Sequence, residues 1–193
     1  IFDNLKKEKD ETMRRVWLDL FSRSTFQTKL GLLDQNIMDY SNDLYVLYQD
    51  EQVDSLKIKL ASITTSLIPE KMVFELNRDI NKELKLTIIR NLKHAKSDKI
   101  SSELISLYKT EKDNDVKITI IYVLGEIKGD KVADALIQGF AKETDYEVKI
   151  TIVNALGKIK GDKVADALIQ EFAKETNRDI RIAIINVLYK FDL

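Results

Sequence analysis

The chain of 193 residues contains no cysteine, one proline (Pro69), one histidine (His94) and six glycines. Without cysteine there can be no disulfide, thiolate zinc site, iron–sulfur cluster or cysteine nucleophile. A single histidine excludes a multi-histidine metal centre. No sign of charge dominates: 31 Lys and Arg stand against 32 Asp and Glu, for a net charge of −1. Nothing in that balance calls for nucleic acid or an anionic membrane surface as partner. A long apolar run is missing too. The longest uncharged stretch, Leu60–Pro69, has ten residues, against about 20 needed to span a bilayer. The patterns G-x-x-x-x-G-K-[ST], G-x-G-x-x-G and G-x-S-x-G are all missing, which removes phosphate loops and nucleophile elbows. We therefore expect no enzyme, no cofactor and no metal.

What is present is 44% hydrophobic and 33% charged sequence, enough for a core beneath a well-solvated surface. The chain opens on Ile1 rather than Met and shows no signal-peptide pattern, so we expect a cytoplasmic piece of a longer protein. A charged run, Lys6-Lys7-Glu8-Lys9-Asp10-Glu11 and then Arg14-Arg15, follows at once. It reads either as the solvated face of a first helix or as the cytoplasmic flank of a membrane anchor upstream.

The dominant feature is a repeat. Val116–Thr144 aligns with Val148–Thr176 at an offset of 32, with 24 of 29 positions identical. Another copy starts at Ile180 and runs for half a unit, a more diverged one starts at Leu84, and a weaker echo starts at Leu56. Each unit has the apolar spacing of two amphipathic helices. Val132, Leu136, Ile137 and Phe140 mark the first; Val148, Ile152, Val153, Leu156 and Ile159 mark the second. Gly129-Asp130 and Gly161-Asp162 read as a C-terminal glycine followed by an acidic N-cap. Ser97-Asp98 holds the same place one unit earlier, and Thr144-x-x-Glu147 has the spacing of a capping box. No β-alternation of useful length appears, so the fold is expected to be all-α.

A helical pair of about 32 residues cannot bury its apolar face alone, so pairs must stack. The units resemble HEAT-like repeats, the short variety also found in phycobilin lyase subunits, whose second helix resembles D-x-x-V-R-x-x-A-A-x-A-L-G-x-I followed by G-D. Asp145 to Lys149, Ala155-Leu156-Gly157-Lys158-Ile159 and Gly161-Asp162 match that pattern. Lys replaces Arg at Lys57, Lys85, Lys117 and Lys149, Arg181 alone keeping it, and the first-helix proline is missing. We expect the lysines to form a ladder with the preceding turn, Asp113 to Lys117 and Asp145 to Lys149. That rung should be weakened in the last unit, where Asn177 replaces the acid.

The resemblance implies a right-handed α-α superhelix, an α-solenoid, over residues 39–193 with approximate units 39–68, 69–96, 97–128, 129–160 and 161–193. Residues 1–38 do not fit the repeat. There Leu5, Met13, Val16, Trp17, Leu20 and Phe21 suggest one helix. Phe26, Leu30, Leu32, Leu33, Ile37 and Met38 suggest a second after Ser22–Thr25. The pair would cap the stack, or offer a docking surface around Trp17.

In HEAT-like solenoids the second helices line the concave face, and the resemblance implies that this face recognises the partner. Carried onto this chain, the candidate binding residues are Leu86, Arg90, Ile118, Tyr122, Glu126, Tyr146, Ile150, Asn154, Lys158, Ile182, Asn186 and Lys190. Leu86, Ile118, Ile150 and Ile182 form an apolar row at the repeat period, which would be either an exposed stripe or part of the stacking core. Tyr122/Asn154 and Glu126/Lys158 are two of the five differences between the near-identical copies. Divergence for binding and drift both fit them. Six cations and six anions fall on this face, which argues against a phosphate-tracking groove. His94 reads as a solvated surface residue.

The expected function is a protein–protein interaction scaffold or regulatory module. Its partner would be another protein or peptide, or another domain of the same protein. Two alternatives stand beside it: a bilin-lyase-like maturation factor with a tetrapyrrole-sized pocket, and a nucleic-acid-binding protein related to the HEAT-like DNA glycosylases. For the latter, Tyr122, Glu126 and Asp115 are the nearest imitation of a site around an extruded base.

Overall fold

The computed structural model describes residues 2–29 and 41–191. Among these residues every regular element is helical. The chain divides into two compact units, Ile1–Asn91 and Leu92–Leu193.

In the first unit α1 (Phe2–Lys7) and α2 (Glu11–Lys29) precede two antiparallel pairs. These are α3 (Ser41–Asp50) with α4 (Asp54–Leu67), and α5 (Pro69–Glu75) with α6 (Lys82–Asn91). α2 lies on α4, and α4 packs on α6. The expected break at Ser22–Thr25 does not occur. Ser and Thr cost only a few tenths of a kcal/mol each inside a helix, too little to stop one 19 residues long. The buried side of this segment differs as well: Leu5 and Leu18 are covered, whereas Met13, Val16 and Leu20 are exposed. α2 is held by polar contacts as much as by apolar ones. Arg14 reaches Glu51 at 2.8 Å, Arg15 donates to Ser55 at 3.1 Å, and Lys59 pairs with Asp19. Of the second apolar cluster expected before Met38, residues 30–38 lie outside the described residues.

Several polar groups buried in this unit find partners within it, although the Nε of Arg14 is buried without one. Thr64 and Thr65 donate to the carbonyls of Leu60 and Ala61 one turn back. Glu75 takes the hydroxyls of Tyr45 and Tyr48 and the guanidinium of Arg78. Burial pushes both phenols upward, with Glu75 adding to the effect.

In the second unit, after a 3-10 turn at Leu92–His94, three pairs follow: α7 (Asp98–Thr110) with α8 (Asn114–Ile127), α9 (Asp130–Lys142) with α10 (Tyr146–Ile159), and α11 (Asp162–Lys174) with α12 (Arg178–Leu188). The second helices α8, α10 and α12 pack in sequence, and the first helices α7, α9 and α11 pack in a parallel row. This is an all-α solenoid whose core is a strip between the rows. Leu104, Ile120, Leu124, Val132, Leu136, Phe140, Ile152, Leu156, Leu168 and Ile184 fill it. Gly125 and Gly157 let the second helices approach closely. A Cβ on Gly125 would meet the Ala155 Cβ at 2.9 Å, and one on Gly157 would meet a Val187 methyl at 2.9 Å.

The helix ends depart from expectation in two ways. Asp145, not Thr144, caps α10, its carboxylate accepting the amides of Glu147 and Val148. Asp113 caps α8 and Asn177 caps α12 in the same way. An Asx side chain is short enough to reach back to these amides, so Asn177 serves as well as an acid. Between units, the first left-handed residue is lysine rather than glycine: Lys128 and Lys160 have φ of 64° and 61°. Gly129 and Gly161 follow with φ of 106° and 104° and occupy the N-cap, which leaves Asp130 and Asp162 inside the first turn. That turn still gains from an acid, because the helix N-terminus carries partial positive charge.

Candidate functional site

The ladder that ties the units together is not the expected one. Asp113 and Asp145 are occupied with their own helix amides, so Lys117 and Lys149 turn elsewhere. Lys117 Nζ lies 3.0 Å from Glu143, and Lys149 Nζ lies 2.8 Å from Glu175, in each case 26 residues further on. Each of these glutamates also accepts two backbone amides from the residues that follow it, Thr144 and Asp145 or Thr176 and Asn177. One carboxylate thus shapes the turn into the second helix and receives the cation of the preceding unit. For Glu175 the hydrogen bond from Lys149 leads in holding the carboxyl below its ordinary range, against the opposing effect of burial. For Glu143 burial would push upward, but the amide of Asp145 and the Lys117 ammonium outweigh it. Lys149 also covers the Phe140 ring, nine positions earlier, at 4.8 Å, and Arg181 at the equivalent position of the last unit covers Phe172 at 4.6 Å. A cation over a ring face is attracted by the ring quadrupole. The sequence did hold a signal for this arrangement, the Lys–Glu spacing of 26 repeated at 117/143 and 149/175.

On the second-helix face the structure brings three expected residues together. Lys158 on α10 pairs with Glu126 on α8 at 2.6 Å and stands 4.2 Å from the ring centroid of Tyr122. The contact holds Glu126 below the ordinary carboxylate range, so it is poorly suited to donate a proton. Tyr122 and Asn154 are exposed beside this pair, and Tyr146, exposed at the opposite end of α10, donates to Glu147 at 3.0 Å. Near the start of the same helices Asn114 donates to Asp145 at 2.8 Å. Ile118 and Ile150 are half-buried, so the apolar row belongs in part to the stacking core, whereas Ile182 and Asn186 on α12 are exposed. Lys190 lies past the end of α12, in the turn after Leu188, and not on the helix. Leu86, half-buried, and Arg90, exposed, sit on α6 in the first unit. His94 is exposed at the close of the 3-10 turn.

Sequence reasoning did not anticipate a groove on the first-helix side. A cavity of about 520 Å³ opens between the C-terminal ends of α7 and α9, lined by Tyr108, Lys109, Lys117, Gly139, Lys142 and Glu143 among others. Along it Gly139 leaves room for the Tyr108 ring, where the next unit has Glu171 in place of the glycine and Phe140 in place of Tyr108. Burial, then Glu143, pushes the Tyr108 hydroxyl up to about 12. This groove is polar and open, unlike the enclosed, mostly apolar slot that a flat macrocyclic or linear tetrapyrrole would fill.

Among the described residues no group of three or more His, Cys, Asp or Glu is placed to hold a metal ion. No described helix is long and apolar enough to cross a membrane. A family model for HEAT repeats matches residues 70–151, from α5 into α10. No curated protein matches the chain.

Proposed function

We propose, from the premise that residues 70–151 belong to the HEAT-repeat family, that this chain is a protein-interaction scaffold that receives its partner on the second-helix face. Repeats of this family commonly serve as such scaffolds. The observation that carries the reading is the surface of α8 and α10. Tyr122, Tyr146 and Asn154 project from helices whose backbones are locked by glycine-to-alanine contact, by the Lys–Glu ladder and by Asx caps. Two exposed tyrosines on a rigid base favour binding, because tyrosine offers large amphipathic contact area at low entropic cost. Ile118 and Ile150 lie half-covered between them as a shallow apolar floor. The Glu126–Lys158 pair leaves the centre electrically neutral, which favours a peptide or protein partner over a polyanion.

In this reading Ile182, Asn186 and Lys190 at α12 extend the binding surface at its margin, and Leu86 and Arg90 on α6 offer a second-helix surface of their own within the first unit. In the first unit α2 serves as the cap, packing on α4. No catalytic role is proposed for Tyr122, Glu126 or Asp115.

The test is a selection of displayed peptides on the purified chain, followed by affinity measurement with two surface variants. Tyr122→Asp combined with Tyr146→Asp should weaken the selected peptides at least tenfold, with unchanged helical content. Gln138→Asp combined with Asp166→Lys on the first-helix row should leave affinity within about twofold. Peptides that lose affinity only with the second pair would move the binding site to the other face.

A further inference from the structure

The groove between α7 and α9 can be compared, residue by residue, with the equivalent positions between α9 and α11. Of the ten residues that line it, seven recur unchanged 32 positions further on. The three that differ are Tyr108, Lys109 and Gly139, whose equivalents are Phe140, Ala141 and Glu171. All three differences favour an anion in the groove: a hydroxyl and an ammonium are gained, and a carboxylate is removed. Three lysines stand against two glutamates in this lining. At the equivalent positions the balance is reversed, two lysines against three glutamates.

The later unit shows what the missing carboxylate does. There Glu171 sits one turn before Lys174 and pairs with it at 3.1 Å. Gly139 and Lys142 hold the same two positions in the groove, so Lys142 lacks that carboxylate. The other charges are already engaged. Lys117 pairs with Glu143, and the carboxylates of Glu111 and Glu143 each accept two backbone amides. Tyr108 is 6% exposed, yet among the described residues nothing hydrogen-bonds its hydroxyl. That hydroxyl lies at the cavity wall over Gly139, where a Cβ would run into it. It keeps its proton, because burial and then Glu143 hold its pKa up to about 12. A buried polar group without a partner is costly and calls for an explanation. Here it lines, with Lys109 and Lys142, one cavity of about 520 Å³, a volume in the range of small-ligand sites.

We propose that this groove binds a carboxylate, which takes the place that Glu171 fills in the following unit. Tyr108 donates its O–H to one carboxylate oxygen, and the ammoniums of Lys142 and Lys109 supply the compensating charge. Hydrogen bonds to an ionised acceptor are stronger than neutral ones. The carboxylate belongs to a small organic acid or to an acidic side chain of a peptide, since the recognising chemistry is the same. The site lies on the first-helix row and is independent of the partner-binding reading, which rests on α8 and α10.

The test titrates the isotope-labelled 193-residue chain with two probes, succinate and the blocked tripeptide acetyl-Gly-Glu-Gly-amide, and follows backbone amide NMR shifts. Saturable shifts are expected at Tyr108, Lys109, Gly139 and Lys142 within about 20 mM of probe, with Tyr122 and Asn154 unmoved. The probe that binds more tightly identifies the source of the carboxylate. Tyr108→Phe, the residue of the next unit, should weaken binding about tenfold, the worth of one hydrogen bond to a charged group. It should not lower the thermal midpoint, because the hydroxyl has no partner within the described chain. Tyr108→Phe combined with Gly139→Glu installs the later unit's own carboxylate and should abolish binding. Should that pair disturb folding, Lys109→Ala with Lys142→Ala provides the second variant and should weaken binding at least tenfold. Lys131→Ala, exposed at the start of α9, should leave it unchanged. Absence of saturable shifts with both probes overturns the proposal. Binding of succinamide, the uncharged analogue, as tight as that of succinate overturns it equally, as does an affinity that Tyr108→Phe leaves intact.

Discussion

Lys158 Nζ lies 2.6 Å from Glu126 Oε1, and these two residues occupy the same position in successive units 32 residues apart. The near-identical copies therefore differ at this position in a way that joins them. Tyr122, which differs from Asn154, lies beneath the same ammonium. Both residues of the pair are about a third exposed, so solvent screens the attraction. A double-mutant cycle with Glu126→Ala and Lys158→Ala should give a coupling of about 0.5–1 kcal/mol in urea denaturation. The exchanged pair Glu126→Lys with Lys158→Glu should recover most of it.

The Lys149–Glu175 bridge should matter more. Glu175 is nearly buried and anchors two amides besides the lysine. Lys149→Met should destabilise the chain by about 1–3 kcal/mol, the usual cost of removing a charged partner from a buried group.

The same carboxylate sets an acid limit. Its pKa lies below the ordinary value of 4.5 in the folded chain, chiefly through the Lys149 hydrogen bond. A depressed folded pKa contributes stability that is present above the unfolded value and lost as pH falls through the folded one. Stability should therefore decline below about pH 4.5, and Glu175→Gln should flatten that decline while lowering stability at pH 7. Urea midpoints between pH 3 and pH 7 measure both effects.

Lys128 adopts φ 64° and ψ −169°, a region open almost only to glycine. Lys128→Gly should stabilise the chain by about 0.5–1 kcal/mol, strain relief outweighing the added backbone entropy of the unfolded chain. Lys160→Gly should act alike, since its φ is 61° and its ψ −172°. Thermal unfolding of the two variants and their combination checks the sign.

Gly125→Ala and Gly157→Ala should both destabilise by about 1–3 kcal/mol through overpacking, but only the second should be repairable. At Gly157 the obstacle is the Val187 side chain, which Val187→Ala removes. At Gly125 the obstacle includes the Ala155 backbone, at 3.0 Å. Chemical denaturation of Gly157→Ala with and without Val187→Ala distinguishes the cases.

Much of this fold was legible because it is a repeat. Identity at an offset of 32 residues fixes which positions share an environment, and the 3.6-residue spacing of Val148, Ile152 and Leu156 fixes which side is buried. The cross-links were not legible, because a lysine's partner depends on how the pairs stack. Asp113 and Asp145 were nearer in sequence, yet capping had already claimed them. Lys128 carried no sign of a positive φ, as lysine seldom takes one. In α2, apolar residues occur on more than one side, so spacing alone did not separate buried Leu18 from exposed Val16 and Leu20. For the candidate face, the residues were readable from the repeat, but not that Glu126 and Lys158 would neutralise each other.

The central claim is that partners engage the second-helix face of the solenoid. A photo-crosslinking amino acid placed at Asn154, exposed on α10, and separately at Asp166, exposed on α11, tests it most directly in the cell of origin. The account predicts a discrete crosslinked protein partner from position 154 that Tyr122→Asp with Tyr146→Asp abolishes, and none from position 166. Partner capture from position 166 with none from position 154 would contradict it.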